Sequence, residues 1–371
     1  QPGKGQKLYY EVSLQDIVTI EELAEEQANF QTSMEERMKS EPDDIAAYVK
    51  ENNITAKPTA DGLYVIVKKR GNGPKVAMGK EVKGIPRLLL NGKPYFFHGL
   101  LDQGYWPDGI YMPPSPQCYA EDILAMKALG FNTLRKHIKV EPEEFYYQCD
   151  KLGMVVFQDF FRDTALPTVC VQKLRDKNFH RDETTRQRFL QAMTETVQQL
   201  RNHPSILYWT IFNEGWGQFD ADSVYEGMRA LDDSRIIDAT SGWFRRKKSD
   251  VDSRHIYFGP WSQLKASDRP LVLSEFGGYA CPMEGHIFNP DKAYGYKACP
   301  SVEDFRTQIE ALYRKRILPV VKKGLCAAIM TQVSDVEDEI NGFLTYDRAV
   351  CKGDAPSMVA IAQELQKELE G

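Results

Sequence analysis

The stretch 205–218, SILYWTIFNEGWGQ, is apolar or aromatic from Ile206 to Phe212 except at Thr210, then turns abruptly to Asn213 and Glu214. A run without polar alternation reads as a strand buried on both faces, the kind found in parallel sheets covered by helices. A carboxylate directly behind such a strand is a helix cap, an ion-pair partner or a working group at the mouth of a site.

Runs of the same texture recur along the chain: YFFHGL (95–100), FNTLR (131–135), MVVFQD (154–159), RIIDAT (235–240), HIYFG (255–259), LVLSEFG (271–277) and GLCAAIMTQ (324–332). Between most of them lie helical patterns, at 119–129, 142–152, 183–202, 221–231 and 302–323, while the links joining RIIDAT, HIYFG and LVLSEFG are too short for full helices. Eight strands with this spacing over residues 85–371 predict an α/β fold, a (β/α)8 TIM barrel. A doubly wound open sheet is the rival. The barrel is favoured because polar residues close nearly every strand: His98, Arg135, Asp159, Asn213 with Glu214, Thr240, Tyr257, Glu275 and Gln332. No glycine fingerprint for a dinucleotide follows the first strand.

Charge and cysteine usage narrow the function classes. Residues 1–60 hold six Lys/Arg against twelve Asp/Glu, which is the whole formal charge of −6, and the remainder balances. A neutral body with an acidic arm argues against a nucleic-acid partner. No apolar stretch approaches the roughly 20 residues of a membrane span. The seven Cys are scattered without a CxxC pair, and neither they nor the six His show zinc spacing. No metal or cofactor is expected.

Glu214 and Glu275 both follow apolar runs, so both are expected on the same barrel rim. Two facing carboxylates can split a glycosidic bond, one protonating the leaving oxygen and the other attacking the anomeric carbon. Arg135 is placed to hold an ionised partner through bidentate hydrogen bonds, Tyr257 to donate to that same carboxylate, and Asn213 to donate to a substrate hydroxyl. This makes Glu275 the nucleophile and Glu214 the acid/base. The alternative is a structural pair of acids, one capping a helix and one bound to Arg135.

GFNTLRKH, YWTIFNEGWG and LVLSEFGG, with the opening LLLNGKPYFFHGL (88–100), resemble the barrel motifs of glycoside hydrolase family 2 over about residues 85–350. The resemblance implies a retaining β-glycosidase of the β-galactosidase, β-glucuronidase or β-mannosidase class, acting on an oligosaccharide or glycoside. It implies a glycosyl-enzyme intermediate on Glu275, and it carries Arg135 and Asn213 over as site residues. His137 departs from the family's usual spacing after the arginine.

Further rim candidates are Asp102 and Trp106 in DQGYWPDGIY (102–111), with a packed loop as the bland alternative, and Trp216 and Trp243 as a stacking platform. TQVSDVEDEINGFLTYDR (331–348) resembles a less characterised subgroup of the family, many of whose members carry a Trp near this point. It offers Gln332, Asp335, Glu337 and Asn341 as pocket residues, or an acidic cluster for a cation.

The N-terminal segment fits less well. Residues 1–60 read as an acidic helical arm, and 61–84 as a small β segment or linker. Residues 51–83 resemble the start of an FKBP-type peptidyl-prolyl isomerase, truncated before its pocket, and the family's usual sandwich domains do not precede the barrel. Two alternatives follow: a carbohydrate-binding barrel that does not turn over for want of those domains, and a folding helper. Both resemblances imply a bacterial periplasmic or cell-surface protein.

Overall fold

The apolar runs form strands that pair in parallel, as burial on both faces requires. The computed structural model describes Thr32 and residues 39–58, 76–78, 84–161 and 183–370. Its barrel strands are β1 (Phe97–Asp102), β2 (Thr133–Lys136), β3 (Val155–Asp159), β4 (Ile206–Asn213), β5 (Ile236–Ser241), β6 (Asp252–Ile256), β7 (Leu271–Gly277) and β8 (Leu325–Thr331). Their order around the sheet is β5-β4-β3-β2-β1-β8-β7-β6, a nearly closed TIM barrel. Helices α1 (Gln117–Ala128), α2 (Glu143–Leu152), α3 (Glu183–Leu200) and α4 (Ala221–Leu231) follow the first four strands. Only a 3-10 turn, Trp261–Gln263, lies between β6 and β7, in line with the short links noted above.

After β7 comes α5 (Val302–Leu312), which passes through a π turn into α6 (Leu318–Val321). Ser301 caps α5 by accepting from the Asp304 N–H at 3.0 Å, and Glu303 and Asp304 add negative charge to its first turn. A last helix, α7 (Ala355–Glu370), was not singled out from the sequence. Its buried Met358, Ile361, Leu365 and Leu369 recur at three- and four-residue steps, the spacing that would have identified it.

The barrel interior is packed rather than open. Phe97 and Phe157 meet at 5.4 Å although β1 and β3 are not sheet neighbours, so their rings join across the axis, and Phe157 stacks on Tyr208 at 4.1 Å. Between β5 and β6 no backbone ladder forms. Across this seam the Asp250 N–H donates to the Ile237 carbonyl at 3.0 Å. Ser241 of β5 lies 3.3 Å from Ser253 of β6 and donates to Ser274 of β7 at 2.8 Å.

Two strand boundaries differ from the sequence expectation. β1 runs to Asp102, which puts His98 near its beginning. There its ring contacts the Tyr313 hydroxyl at 3.0 Å and the Gly130 carbonyl at 3.2 Å, so His98 is a core residue and not a rim residue. β6 starts three residues earlier than expected and leaves Tyr257 just beyond its end.

The chain divides between residues 72 and 73 into two units. In the first, residues 39–51 are helical and almost wholly exposed. The strand expected over 63–74 lies outside the described residues. In the second, Val76–Met78 pairs antiparallel with Leu88–Leu90, which pairs in turn with Lys93–Pro94 ahead of β1.

Candidate active site

β2 carries a fully buried Arg135, and each of its five N–H groups has an acceptor. Nε and Nη2 grip Asp159 at 3.0 and 2.9 Å, Nη2 also reaches Asn213 Oδ1 at 2.8 Å, and Nη1 reaches Glu275 Oε1 at 2.8 Å and the Ser274 carbonyl at 3.0 Å. The bidentate partner is therefore Asp159 and not Glu275, a correction to the sequence expectation. Burial works to raise the Asp159 pKa, but the Arg135 guanidinium outweighs it and holds the group below its ordinary value. Asn213 spends its carbonyl oxygen on Arg135, so it helps orient the guanidinium.

Glu275, near the end of β7, accepts from Arg135 on one oxygen and from the Tyr257 hydroxyl on the other at 2.8 Å, as expected for Tyr257. His255 Nδ1 lies 2.8 Å from Glu214 Oε1 and 3.4 Å from Glu275 Oε2. Burial pushes the His255 pKa down to about 3, which keeps the ring neutral. Its Nε2 is 3.0 Å from Ser241 Oγ. Because Ser241 donates its hydrogen to Ser274, Nε2–H is the donor in this contact, and Nδ1 is left as an acceptor facing Glu214.

Glu214 sits at φ +54° and Gly215 at +77°, a tight turn directly after β4. A Cβ on Gly242 would lie 2.6 Å from the His255 ring, so only glycine lets β5 end this close to the imidazole.

Glu214, Glu275, His137, Trp243 and Tyr257 line one cleft of about 550 Å³, together with Gln103 and Glu339, which the sequence reading missed as lining residues. The potential ligand atoms of Glu214, His255 and Glu275 all lie within 4.8 Å of one another. His137 Nδ1 stands 3.4 Å from Asp159 Oδ2. The mouth is aromatic: Trp243 is 50% exposed and Phe258 70%, and Tyr296 packs on Tyr257 at 4.4 Å.

Other sequence candidates do not line the cleft. Asp102 is tied to Lys136 at 2.6 Å and accepts from the Gly104 N–H. Trp106 is buried against Tyr119, with the Arg348 guanidinium 4.1 Å over its ring, so the packed-loop alternative holds. Trp216 lines a separate small cavity with Phe189 and Phe212. Gln332 is buried one layer behind the cleft, accepting from Gln103 at 2.9 Å and donating to Asn341 at 2.8 Å. Asp335 is paired with the buried Lys352 at 2.7 and 2.9 Å, so a lysine ammonium fills the place considered for a cation. Glu337 accepts from the Tyr105 hydroxyl at 2.6 Å. Asp159 closes a predicted strand, and His255 could have been found as the polar residue opening the predicted run 255–259, whereas Tyr296 sits in an irregular loop that carries no period.

The description "Glycosyl hydrolases family 2, TIM barrel domain" matches residues 81–359. The chain belongs to glycoside hydrolase family 2. Solved structures with the same fold include a β-glucuronidase from an uncultured Clostridium species, at 18% identity and TM-score 0.57 over 79% of this chain and 53% of that one. A β-galacturonidase from Eisenbergiella tayi bound to galacturonate matches at 19% identity and TM-score 0.55 over 79% and 54%. A β-D-glucuronidase from Dictyoglomus thermophilum matches at 20% identity and TM-score 0.58, again over 79% and 54%. The chain thus spans about half the length of these family 2 structures.

Proposed function

We propose that this chain supplies the catalytic barrel of a retaining β-glycosidase, with Glu275 as nucleophile and Glu214 as acid/base. The observation that carries the reading is the approach of Glu214 and Glu275 within 4.8 Å in one cleft. Retaining enzymes hold their carboxyl groups about 5–5.5 Å apart, and inverting ones about 6.5–9.5 Å, to admit a water.

The surroundings divide the roles. Both oxygens of Glu275 accept hydrogen bonds, from Arg135 and Tyr257, which fixes the attacking carboxylate against rotation. Glu214 faces the acceptor nitrogen of a neutral imidazole, so a proton on Glu214 completes that contact and is at hand for the leaving oxygen. In the first step Glu275 bonds to the anomeric carbon while Glu214 gives its proton to the departing oxygen. In the second, Glu214 takes a proton from water, whose oxygen attacks the anomeric carbon on the face the first leaving group vacated and expels the Glu275 carboxylate from the opposite face. A cation on Glu214, His255 and Glu275 would occupy the oxygens these steps need, so the chemistry is written without one.

The test is a panel of nitrophenyl β-glycosides, with the anomer of the first-formed product read by NMR and Glu275→Gln run beside the parent. Release of nitrophenol by the parent alone, with retained configuration, is the expected result. Binding without hydrolysis by the folded parent, or an inverted product, overturns the proposal.

A further inference from the structure

We propose that Glu339 reads the substrate in this cleft and, with Gln103, selects an uncharged glycone over a uronic acid. The inference rests on the glycosidase reading above and adds a substrate class to it.

Glu339 follows β8, is partly exposed, and lines the cleft with both catalytic candidates. Its Oε1 accepts from Asn341 at 2.9 Å and its Oε2 from Gln103 at 3.2 Å. A carboxylate offers about four lone-pair positions, so two remain for hydroxyl donors. Gln103 spends its amide nitrogen on Gln332 and Glu339, which turns its carbonyl into a further acceptor. The pair is an acceptor-rich wall, and a sugar meets it with hydroxyl donors.

The charge balance of the cleft points the same way. Among the described residues that line it there are three carboxylates, Glu214, Glu275 and Glu339, and no Lys or Arg. Among the described residues, three cations carried on or just after β2 are committed elsewhere. Arg135 has used every N–H, Lys136 is bound to Asp102 and Glu141, and Lys139 to Glu141 and two backbone carbonyls. Of the two histidines that line the cleft, His255 is held neutral by its burial, and His137 Nδ1 already stands against the Asp159 and Glu275 carboxylates at 3.4 and 3.9 Å. The Tyr296 hydroxyl, which lines the cleft with Glu214, Glu275 and Glu339, has its pKa pushed up by burial and then by these carboxylates. Among the described residues a uronate would bring a fourth negative charge into this group without a cationic partner, which is costly in a desolvated site. An uncharged sugar instead donates charge-assisted hydrogen bonds to Glu339.

The experiment measures binding on the Glu275→Gln chain, so that nothing is consumed. Nitrophenyl β-glucoside, β-galactoside, β-mannoside and β-glucuronide are titrated by calorimetry. The best uncharged glycoside is expected to bind about tenfold or more tighter than the glucuronide, and adding Glu339→Gln should shrink that ratio by about fivefold. Gln103→Leu is the second variant, expected to shrink it in the same direction if the first fails to fold. A glucuronide bound as tightly as the uncharged glycosides, or a ratio unmoved by a folded variant, overturns the proposal. Parent hydrolysis alongside an unmoved ratio overturns the selector alone. Selective binding without hydrolysis by the parent supports the selector and overturns the catalytic reading, and no binding of any glycoside overturns both.

Discussion

Tyr257 donates its hydroxyl hydrogen to Glu275 Oε2 at 2.8 Å. With Arg135 on the other oxygen, this bond is the second of two points that orient the carboxylate. Removing it leaves Glu275 in place but free to pivot. Tyr257→Phe is therefore expected to lower kcat by about 10- to 100-fold with a smaller change in KM. Steady-state kinetics on the best nitrophenyl glycoside, with a circular dichroism control, checks this.

Arg135→Met removes the guanidinium paired with two buried carboxylates, Asp159 and Glu275, at 2.9 and 2.8 Å. Truncating one side of a buried pair costs about 3–5 kcal/mol because the other side stays buried and unpaired. Urea unfolding should show a loss of that size at neutral pH. A loss below about 1 kcal/mol would mean that the carboxylates find other partners.

Two of the three tryptophans raised by the sequence, Trp106 and Trp243, should separate cleanly. Trp106 is packed under Arg348 and is 5% exposed, so Trp106→Ala is expected to cost about 3–5 kcal/mol of stability. Trp243 is half exposed on the cleft, so Trp243→Ala should leave stability within about 0.5 kcal/mol. Its expected effect is on KM, through lost stacking. Thermal unfolding and kinetics on both variants read the contrast.

His98 sets a pH dependence that is separate from the cleft. Burial lowers its pKa from 6.5 to about 4, so the unfolded chain takes up this proton at a higher pH than the folded one. The stability tied to the neutral ring is complete above pH 6.5 and is lost as pH falls toward 4. His98→Gln lacks this titration. The variant should be about 2 kcal/mol less stable at pH 7.5, from its lost contacts. The gap should shrink by about 1.4 kcal/mol per pH unit below 6.5, close near pH 5 and change sign below that. Denaturant unfolding of both chains at several pH values measures it.

The barrel was legible in the sequence because strands buried on both faces announce themselves as unbroken apolar runs, and all eight such runs became strands. Their ends were less certain. One or two polar residues can continue a strand, as Asp102 does, or an apolar pair such as Tyr257 and Phe258 can follow its last ladder bond. The carboxylate pair was readable because each acid stands directly behind a run. The support around it was not, since Asp159 gripping Arg135 and His255 reaching Glu214 are contacts between strands that sequence spacing does not encode. Asp335 shows the same limit from the other side. Its place in an acidic loop suggested a pocket or a cation, and only Lys352, seventeen residues on, explains it.

The seam between β5 and β6 is closed by Ser241, Ser253, Ser274 and the imidazole of His255, and that same imidazole meets Glu214. Closing the ring and aiming the acid are thus one chain of hydroxyls. A change at Ser241 or Ser274 is felt at once in how the barrel shuts and in which nitrogen Glu214 sees. A substitution here that keeps an acceptor for the His255 Nε2–H preserves both functions at once, and one that removes it disturbs both together.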